Sequence, residues 1–205
     1  MPTFLHVGCG SQRKASITKG FDRPEWTELR LDIDPAAKPD IVADMTDMSA
    51  VPTGSMDGLF SSHNLEHLHA HQVPLALAEF VRVLKPEGFA VVTCPDLQLA
   101  ASLVAAGKLD EAIYVSPDGP ITPLDVIFGH RRSLAAGQVH MAHRTGFSLQ
   151  SLFDALAAAG FARIAALRRR AGVELWAVAA RQPLDDAALQ ALSEDHLPQA
   201  PAAAG

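Results

Sequence analysis

The sequence is poor in cysteine and contains no long apolar run. Only Cys9 and Cys94 are present among 205 residues, too few for the disulfide framework of a small secreted protein. No stretch approaches the ~18 apolar residues of a membrane-spanning helix. The N-terminus also lacks a basic region followed by a signal-like apolar stretch. These absences predict a cytoplasmic protein with reduced thiols and no membrane span.

An excess of positive charge is also missing. The chain carries 17 Lys and Arg against 23 Asp and Glu, a formal net charge of −6. Because a nucleic-acid surface usually needs a clustered basic face, we predict no nucleic-acid partner. The apolar share of 48% instead indicates a substantial buried core, and the length suits one domain. Oligomeric state cannot be read from these features.

Short apolar strands alternate with amphipathic helices along the chain. The patterns predict strands at 3–7, 29–33, 41–43, 58–61 and 89–93, a helix at 75–84 ended by Pro86 and Gly88, a helix at 149–159 capped by Ser148 and Gly160, and two last strands at 162–167 and 173–180. This alternation predicts an α/β fold with a mostly parallel sheet of about seven strands, helices on both faces and a C-terminal antiparallel strand pair.

The segment 107–146, here called the cap, differs in composition from the rest of the chain because it is rich in Gly, Pro and His. Forty residues are too many for an ordinary connection. We therefore predict a cap inserted after the fifth strand, over the carboxyl ends of the strands, with a helix near 122–128. The main domain is predicted to span 1–182, and 183–205 to be a C-terminal extension with a partly disordered tail.

A glycine turn follows the first strand. Gly8, Cys9 and Gly10 form it, and Asp32 ends the second strand about 20 residues later. Glycine tolerates positive φ and lets a ligand approach closely, and a carboxylate at this distance can accept hydrogen bonds from ribose hydroxyls. The pair predicts a nucleoside-type ligand. Arg13 stands where a dinucleotide fingerprint has its third glycine, so the turn alone does not identify the nucleoside.

Three stretches further along the chain indicate which nucleoside is bound. They are Ile-Val-Ala-Asp-Met at 41–45, the segment 56–67 ending in Asn-Leu-Glu-His, and Arg-Val-Leu-Lys-Pro-Glu-Gly at 82–88. With the glycine turn and Asp32, they resemble the class I S-adenosylmethionine-dependent methyltransferases, whose fold is Rossmann-like. The stretches 116–123 and 141–147 further resemble a bacterial subgroup of these proteins.

The resemblance implies S-adenosylmethionine as cofactor and assigns residues to it. The glycine turn would face the methionine part, Asp32 the ribose hydroxyls, and Asp44 the adenine amine. The full set of implied cofactor residues is Gly8, Cys9, Gly10, Asp32, Ile33, Asp44, Met45, Ser61 and Ser62. The chain departs from the family at His6, where an acid is usual, and at Gln12, where a third glycine is frequent. The stretch 11–27 lacks helical periodicity, so the first helix is expected to be short or absent.

Methyl transfer to a hydroxyl or amine can require a general base. The candidates for a catalytic role are His63, Asp96, His140 and His143. Asp96 directly follows the fifth strand, at the edge where open α/β sheets bind ligands, and the last two histidines lie in the cap. Arg131 and Arg144, also in the cap, are candidates for clamping an anionic acceptor.

Three histidines, His63, His67 and His71, recur every four residues. On a helix they would share one face, which could suit a transition metal. Because Glu66 and His67 belong to the family stretch, where they normally serve structure, we predict no metal site.

The sequence thus predicts methyl transfer from S-adenosylmethionine to a small-molecule or sugar-type acceptor, at oxygen or nitrogen. One alternative is a non-catalytic module that binds the cofactor and acts through protein partners. A less favoured alternative is an NAD-dependent oxidoreductase, which Arg13 and the stretches from 41 to 92 argue against.

Overall fold

A computed structural model describes residues 1–116 and 119–198. The strands in this part of the chain are β1 Thr3–Val7, β2 Thr27–Asp32, β3 Ile41–Val42, β4 Met56–Ser62, β5 Leu84–Pro95, β6 Tyr114–Ser116, β7 Gly119–Ile121, β8 Arg163–Arg169 and β9 Glu174–Ala180. The α-helices are α1 Val73–Val83, α2 Leu97–Ala105, α3 Pro123–Phe128, α4 Arg131–Ala135, α5 Leu149–Ala158 and α6 Asp186–His196. None of the described helices is long and apolar enough to cross a membrane.

Seven strands form one sheet in the order β3-β2-β1-β4-β5-β9-β8. The first five pair in parallel, whereas β9 runs antiparallel to both β5 and β8. The predicted Rossmann-like sheet with its C-terminal antiparallel pair is confirmed. The chain order reverses between β1 and β4, so the carboxyl ends of β1, β2 and β4 meet around a crevice where such sheets bind ligands.

Alternation along β1 shows how the sheet buries both faces. Leu5 and Val7 point into a core cluster that α1 and α5 cover. Phe4 points to the opposite face, into an aromatic cluster with Phe21 and Phe60. Because successive side chains of a strand face opposite sides, a strand buried on both sides is mostly apolar. The predicted helices on both faces are therefore present.

The crossover between β1 and β2 contains no α-helix in the described structure, as the missing periodicity predicted. A single 3-10 turn, Lys14–Ser16, takes its place. The second face is instead covered by α6, whose Leu192 packs against the aromatic cluster. The sequence reading did not predict this helix inside the C-terminal extension. The disordered tail was predicted for the last residues, and 199–205 lie outside the described part of the chain.

The junction between α1 and β5 differs from the prediction. The helix ends at Val83 and the strand begins at once, with Leu84 paired to Met56. A proline at 86 disfavours helical conformation in the residue before it, so the chain is already extended by that point. A register shift follows, and Phe89 pairs with Gly58.

The cap contains the β6–β7 hairpin, α3 and α4. The predicted cap helix begins after Thr122, whose hydroxyl accepts the Asp125 N–H in a capping box. Pro117 and Asp118, part of the stretch that resembles the bacterial subgroup, lie outside the described residues. Cys9 and Cys94 are both free and buried, as predicted for reduced thiols.

The docking of α6 depends on a buried histidine. His196 Nδ1 lies 2.8 Å from Thr18 Oγ1, and the ring packs on Phe21 and Phe89. Gly20 passes so close that an added Cβ would lie 2.4 Å from the imidazole. Burial lowers the pKa of His196 to about 4, so the folded protein holds this ring neutral.

We expect acid to destabilise the protein through this ring. In the unfolded chain this ring binds a proton near pH 6.5, but in the native state only near pH 4. The free energy of unfolding therefore keeps its full value above about pH 6.5 and falls as the pH decreases towards 4. The loss should reach about 3 kcal/mol. Denaturant unfolding at pH 7.5 and 4.5 measures it. His196→Gln, which can still bond Thr18, should show a smaller pH dependence, whereas the exposed control His71→Gln should match the wild type.

Candidate active site

A cavity of about 550 Å³, here called the large cavity, opens at the carboxyl ends of β1, β2 and β4. One wall comes from the glycine turn and the ends of β2 and β3, and the opposite wall from the cap. The lining includes Gly8, Cys9, Gly10, Gln12, Asp32, Ile33, Asp44, Met45, Ser62, His63, His67, His140, Met141 and Arg144. The tertiary structure thus brings together most of the residues predicted for the cofactor and several of those predicted for catalysis.

The two glycines of the turn have different roles. Gly8 has φ +61° and an added Cβ would lie 2.0 Å from Oδ1 of Asn64. That asparagine donates to the Val7 carbonyl at 2.9 Å, so it needs the space that Gly8 leaves. Gly10 has φ +50° and no atom lies within 4 Å of its missing Cβ. Its open side therefore faces space into which a ligand can come close.

A buried arginine supports the glycine turn through hydrogen bonds. Arg30 is only 2% exposed, and its guanidinium donates to the carbonyls of Gly10 and Lys38. The fixed fork of donors lets one side chain hold two loops in register. The sequence pattern alone did not point to this residue. The feature that could have found it is a charged side chain between two leucines in Leu-Arg-Leu, just before Asp32 ends β2.

Asp32 also holds the glycine turn. Its Oδ2 accepts the Gly10 N–H at 2.7 Å and its Oδ1 accepts the Asp34 N–H at 2.9 Å. Each carboxylate oxygen can accept more than one hydrogen bond, so both remain able to accept ribose hydroxyls. The same residue can therefore shape the turn and bind a ligand.

The predicted adenine side of the large cavity combines a carboxylate with apolar surface. Asp44 Oδ1 accepts both the Thr46 N–H and hydroxyl at 2.8 Å, which fixes the carboxylate. Ile33 is 56% exposed and, with Met45, lines the same wall. An exposed isoleucine beside a fixed acceptor is suited to a planar ring that carries an amine.

The two serines that end β4 are placed differently. Ser61 is buried and its hydroxyl accepts from Asn64 Nδ2 at 3.2 Å, so it does not line the large cavity. Ser62 does line it, and its hydroxyl lies 2.7 Å from that of Thr93 on β5.

His63 follows directly, in the left-handed region with φ +55°. Its ring lies between two carboxylates, with Nδ1 3.4 Å from Glu66 Oε1 and Nε2 3.6 Å from Glu174 Oε1. Desolvation opposes the charge, but attraction to Glu174 and Glu66 outweighs it and raises the pKa of His63 to about 10. The ring is therefore a cation at neutral pH, which makes it a poor general base.

Two of the predicted functional residues lie away from the large cavity. Asp96 is fully buried, accepts the Leu99 N–H as the N-cap of α2 and pairs with Arg168. Arg131 is held by Asp125, whose Oδ1 accepts its Nε–H at 2.8 Å. Although burial opposes it, hydrogen bonding from Arg131 and Thr122 lowers the pKa of Asp125 to about 2. Both predicted residues have structural partners that account for their positions.

The cap histidines separate into two places. His140 lines the large cavity beside Met141 and Arg144. His143 faces a neighbouring cavity of about 150 Å³, here called the small cavity. Its Nδ1 lies 2.8 Å from the Val126 carbonyl oxygen, and burial lowers its pKa.

The predicted histidine face does not form, because residues 63–72 are not α-helical. A 3-10 turn at Leu65–His67 is followed by the extended residue Leu68 and by a turn that Gln72 closes on His69, so His63, His67 and His71 do not share one helix face. The rings of His69 and His71 stack instead, 5.7 Å apart, at the surface.

The two departures from the family pattern also have clear surroundings. His6 is buried, and its Nδ1 lies 2.7 Å from Oε1 of Glu28 on β2. It faces the aromatic cluster, with Phe60 edge-on at 5.2 Å, rather than the large cavity. Gln12, by contrast, lines that cavity.

The fold and the large cavity define an α/β protein with a nucleoside site at the switch point of its sheet. Residues 5–92 match the profile of a family described as a methyltransferase domain. The match covers less than half of the chain, assigns residues 5–92 to this methyltransferase family, and supports methyl transfer from S-adenosylmethionine. The match argues against the alternative of an NAD-dependent oxidoreductase.

Solved structures share the fold at low sequence identity. One is 1,6-didemethyltoxoflavin-N1-methyltransferase from Burkholderia thailandensis, with TM-score 0.56, 16% identity, and coverage of 89% of this chain and 72% of that one. A possible histamine N-methyltransferase from Thermotoga maritima has TM-score 0.55 and 14% identity over 89% and 83% of the chains. An Archaeoglobus fulgidus S-adenosylmethionine-dependent methyltransferase has TM-score 0.56 and 13% identity over 87% and 86%. A comparison with curated proteins found no match.

The residues of the large cavity fit S-adenosylmethionine. The open side of Gly10 lies next to the carboxylate of Asp32, and the fixed carboxylate of Asp44 lies beside exposed apolar surface. The cavity is also of the size that small-molecule and cofactor sites usually have.

A pair of glycine substitutions separates folding from cofactor binding. Gly8→Ala forces a Cβ into Asn64 at a positive φ, so we expect a marked loss of stability. Gly10→Ala meets no protein atom and should cost only about 1–2 kcal/mol for its left-handed backbone, yet its methyl group occupies ligand space. Thermal melting with and without S-adenosylhomocysteine tests this. A ligand-induced shift of wild-type size in Gly10→Ala would contradict the assignment.

The carboxylate of Asp32 should be required for the same shift. Wild-type protein with ligand at 100 times its dissociation constant should gain about 2.7 kcal/mol. In Asp32→Asn, one acceptor oxygen and the charge are lost, so most of that gain should disappear. Asp22→Asn, an exposed carboxylate outside the large cavity, is the matched control and should respond like the wild type.

Proposed function

We propose that this enzyme methylates an oxygen or nitrogen of a small anionic acceptor, with sugar-type acids among the candidates. The observation that carries the proposal is the opposition of two walls in the large cavity. The residues assigned to the cofactor form one wall, and His140, Met141 and Arg144 of the cap form the other. An acceptor held on the cap wall would face the reacting end of the cofactor.

Arg144 is the group best suited to hold an acceptor. Its backbone N–H donates to the Glu66 carbonyl at 2.8 Å, which fixes the residue at the rim of the large cavity. Its guanidinium is exposed and has no ion-pair or hydrogen-bond partner among residues 1–116 and 119–198. A free guanidinium can bind a carboxylate or phosphate in bidentate fashion. Arg131, the other candidate, is engaged by Asp125.

The charges of the two walls support an anionic acceptor. Asp32 and Asp44 lie on the cofactor wall, whereas the guanidinium of Arg144 lies on the cap wall. An anion entering the cavity is attracted to the cap side and repelled from the carboxylates. This polarity would orient the acceptor before reaction.

The bound cofactor supplies an electrophilic methyl carbon on a sulfonium, and the protein supplies position and a site with little water. Where the acceptor needs to lose a proton, His140 is the candidate base on the cap wall.

Two further observations support a small acceptor. The Burkholderia and Thermotoga structures carry the names of N-methyltransferases of small molecules. The formal net charge of −6 opposes a nucleic-acid substrate, which needs a basic surface.

The test is an assay of S-adenosylhomocysteine release across matched pairs of acids and their neutral amides or esters. We expect the acids to be turned over preferentially. Arg144→Gln should raise KM for the acids at least tenfold with a smaller change in kcat, because a ground-state contact is lost. The exposed Arg170→Gln removes the same charge outside both cavities and should behave like the wild type. Equal KM values for acids in Arg144→Gln and wild type would refute the clamp.

A further inference from the structure

The small cavity contains a carboxylate that the protein itself leaves unsatisfied. Glu66, in the 3-10 turn that follows β4, is 1% exposed. Neither of its carboxylate oxygens accepts a hydrogen bond from any residue that the structure describes. Burying an ionised carboxylate without donors is costly, and buried polar groups are nearly always satisfied. The arrangement therefore indicates a missing partner for this group.

His63 supplies only part of that partner. Its Nδ1 is 3.4 Å from Glu66 Oε1, too poorly placed for a hydrogen bond, and the ring also faces Glu174. One imidazole thus lies between two carboxylates. Both oxygens of Glu66 still lack a hydrogen-bond donor among the described residues, and this side chain lines the small cavity.

Two imidazoles converge on the same point from different parts of the chain. His67 Nδ1 lies 3.2 Å from the Ala142 carbonyl oxygen, and His143 Nδ1 lies 2.8 Å from that of Val126. A carbonyl only accepts, so each Nδ1 carries the proton and each Nε2 keeps a free lone pair. This is the way metal-ligating histidines are usually oriented by their surroundings.

The donors of the three side chains are close enough for one ion. One ligand atom from each of Glu66, His67 and His143 lies within 4.8 Å of the others. Two imidazoles with one carboxylate form the ligand set of catalytic zinc sites, and the same set also suits other divalent transition metals.

We propose that Glu66, His67 and His143 form a binding site for a divalent transition metal, represented by Zn²⁺. The three ligands leave one position for water or for a donor atom of an acceptor. His63, His67 and Met141 line both cavities, so the ion would lie beside the acceptor wall. It would also join the sheet body, through residues 66 and 67, to the cap, through residue 143.

The test uses the full chain after chelator treatment, without cofactor, titrated with Zn²⁺ against a chromophoric chelator. We expect one saturable site, and a Co²⁺ titration should give the visible bands of a low-coordinate ion. Because each substitution removes a ligand, Glu66→Gln, His67→Ala and His143→Ala should each weaken binding by about 100-fold or more. Zn²⁺ should raise the melting temperature of the wild type and not that of these variants.

The double variant His69→Ala, His71→Ala is the control, since it removes an exposed histidine pair outside the site. It should bind Zn²⁺ like the wild type. Loss of binding only in this double variant, or no saturable site in the wild type, would overturn the proposal. Glu66→Gln keeps the shape of the side chain, so unchanged affinity in that variant would also overturn it. Because metal binding is measured directly, a failure here leaves the proposed methyl transfer standing.

Discussion

The site depends on the hydrogen bonds that Arg30 and Asp32 make to the glycine turn. The buried guanidinium donates to the Gly10 carbonyl, and the carboxylate accepts the N–H of the same residue. These two side chains lie on the same face of β2, on either side of the core residue Leu31, and hold Gly10 by its N–H and its carbonyl. Backbone hydrogen bonds from Cys9 to Leu31 and from Gln12 to Cys9 add to this support, in a turn that no α-helix follows. The ligand side of Gly10 is open because these contacts lie beneath it.

The missing first helix also changes how the sheet is covered. One face of β1, β4 and β5 would expose the aromatic rings around Phe21 if only the 3-10 turn lay over it. The C-terminal helix α6 closes that face, and its last residue, His196, fits against Gly20 and bonds Thr18. An element near the end of the chain thereby stabilises the region next to the glycine turn. Fold stability and the geometry of the site are coupled through this contact.

The segment after β4 connects the two cavities. His63 has a left-handed backbone, lies between two carboxylates and borders both spaces. Glu66 accepts through its backbone carbonyl from Arg144 while its carboxylate faces the small cavity. One short turn therefore holds the backbone of Arg144 at the wall of the large cavity and presents a buried acid to the small cavity.

The sequence by itself determined the positions of the parallel strands, the glycine turn with its carboxylate, and the resemblance to the methyltransferase family. Those features depend on local periodicity and on residues close to strand ends, such as Gly8, Gly10 and Asp32. Only the tertiary structure showed which candidate catalytic residues line the large cavity, since the sequence gives no reason to prefer Asp96 or His140. One is buried under an arginine and the other faces the large cavity. The convergence of Glu66 with His143 was likewise invisible, because contacts between residues far apart in sequence leave no spacing pattern.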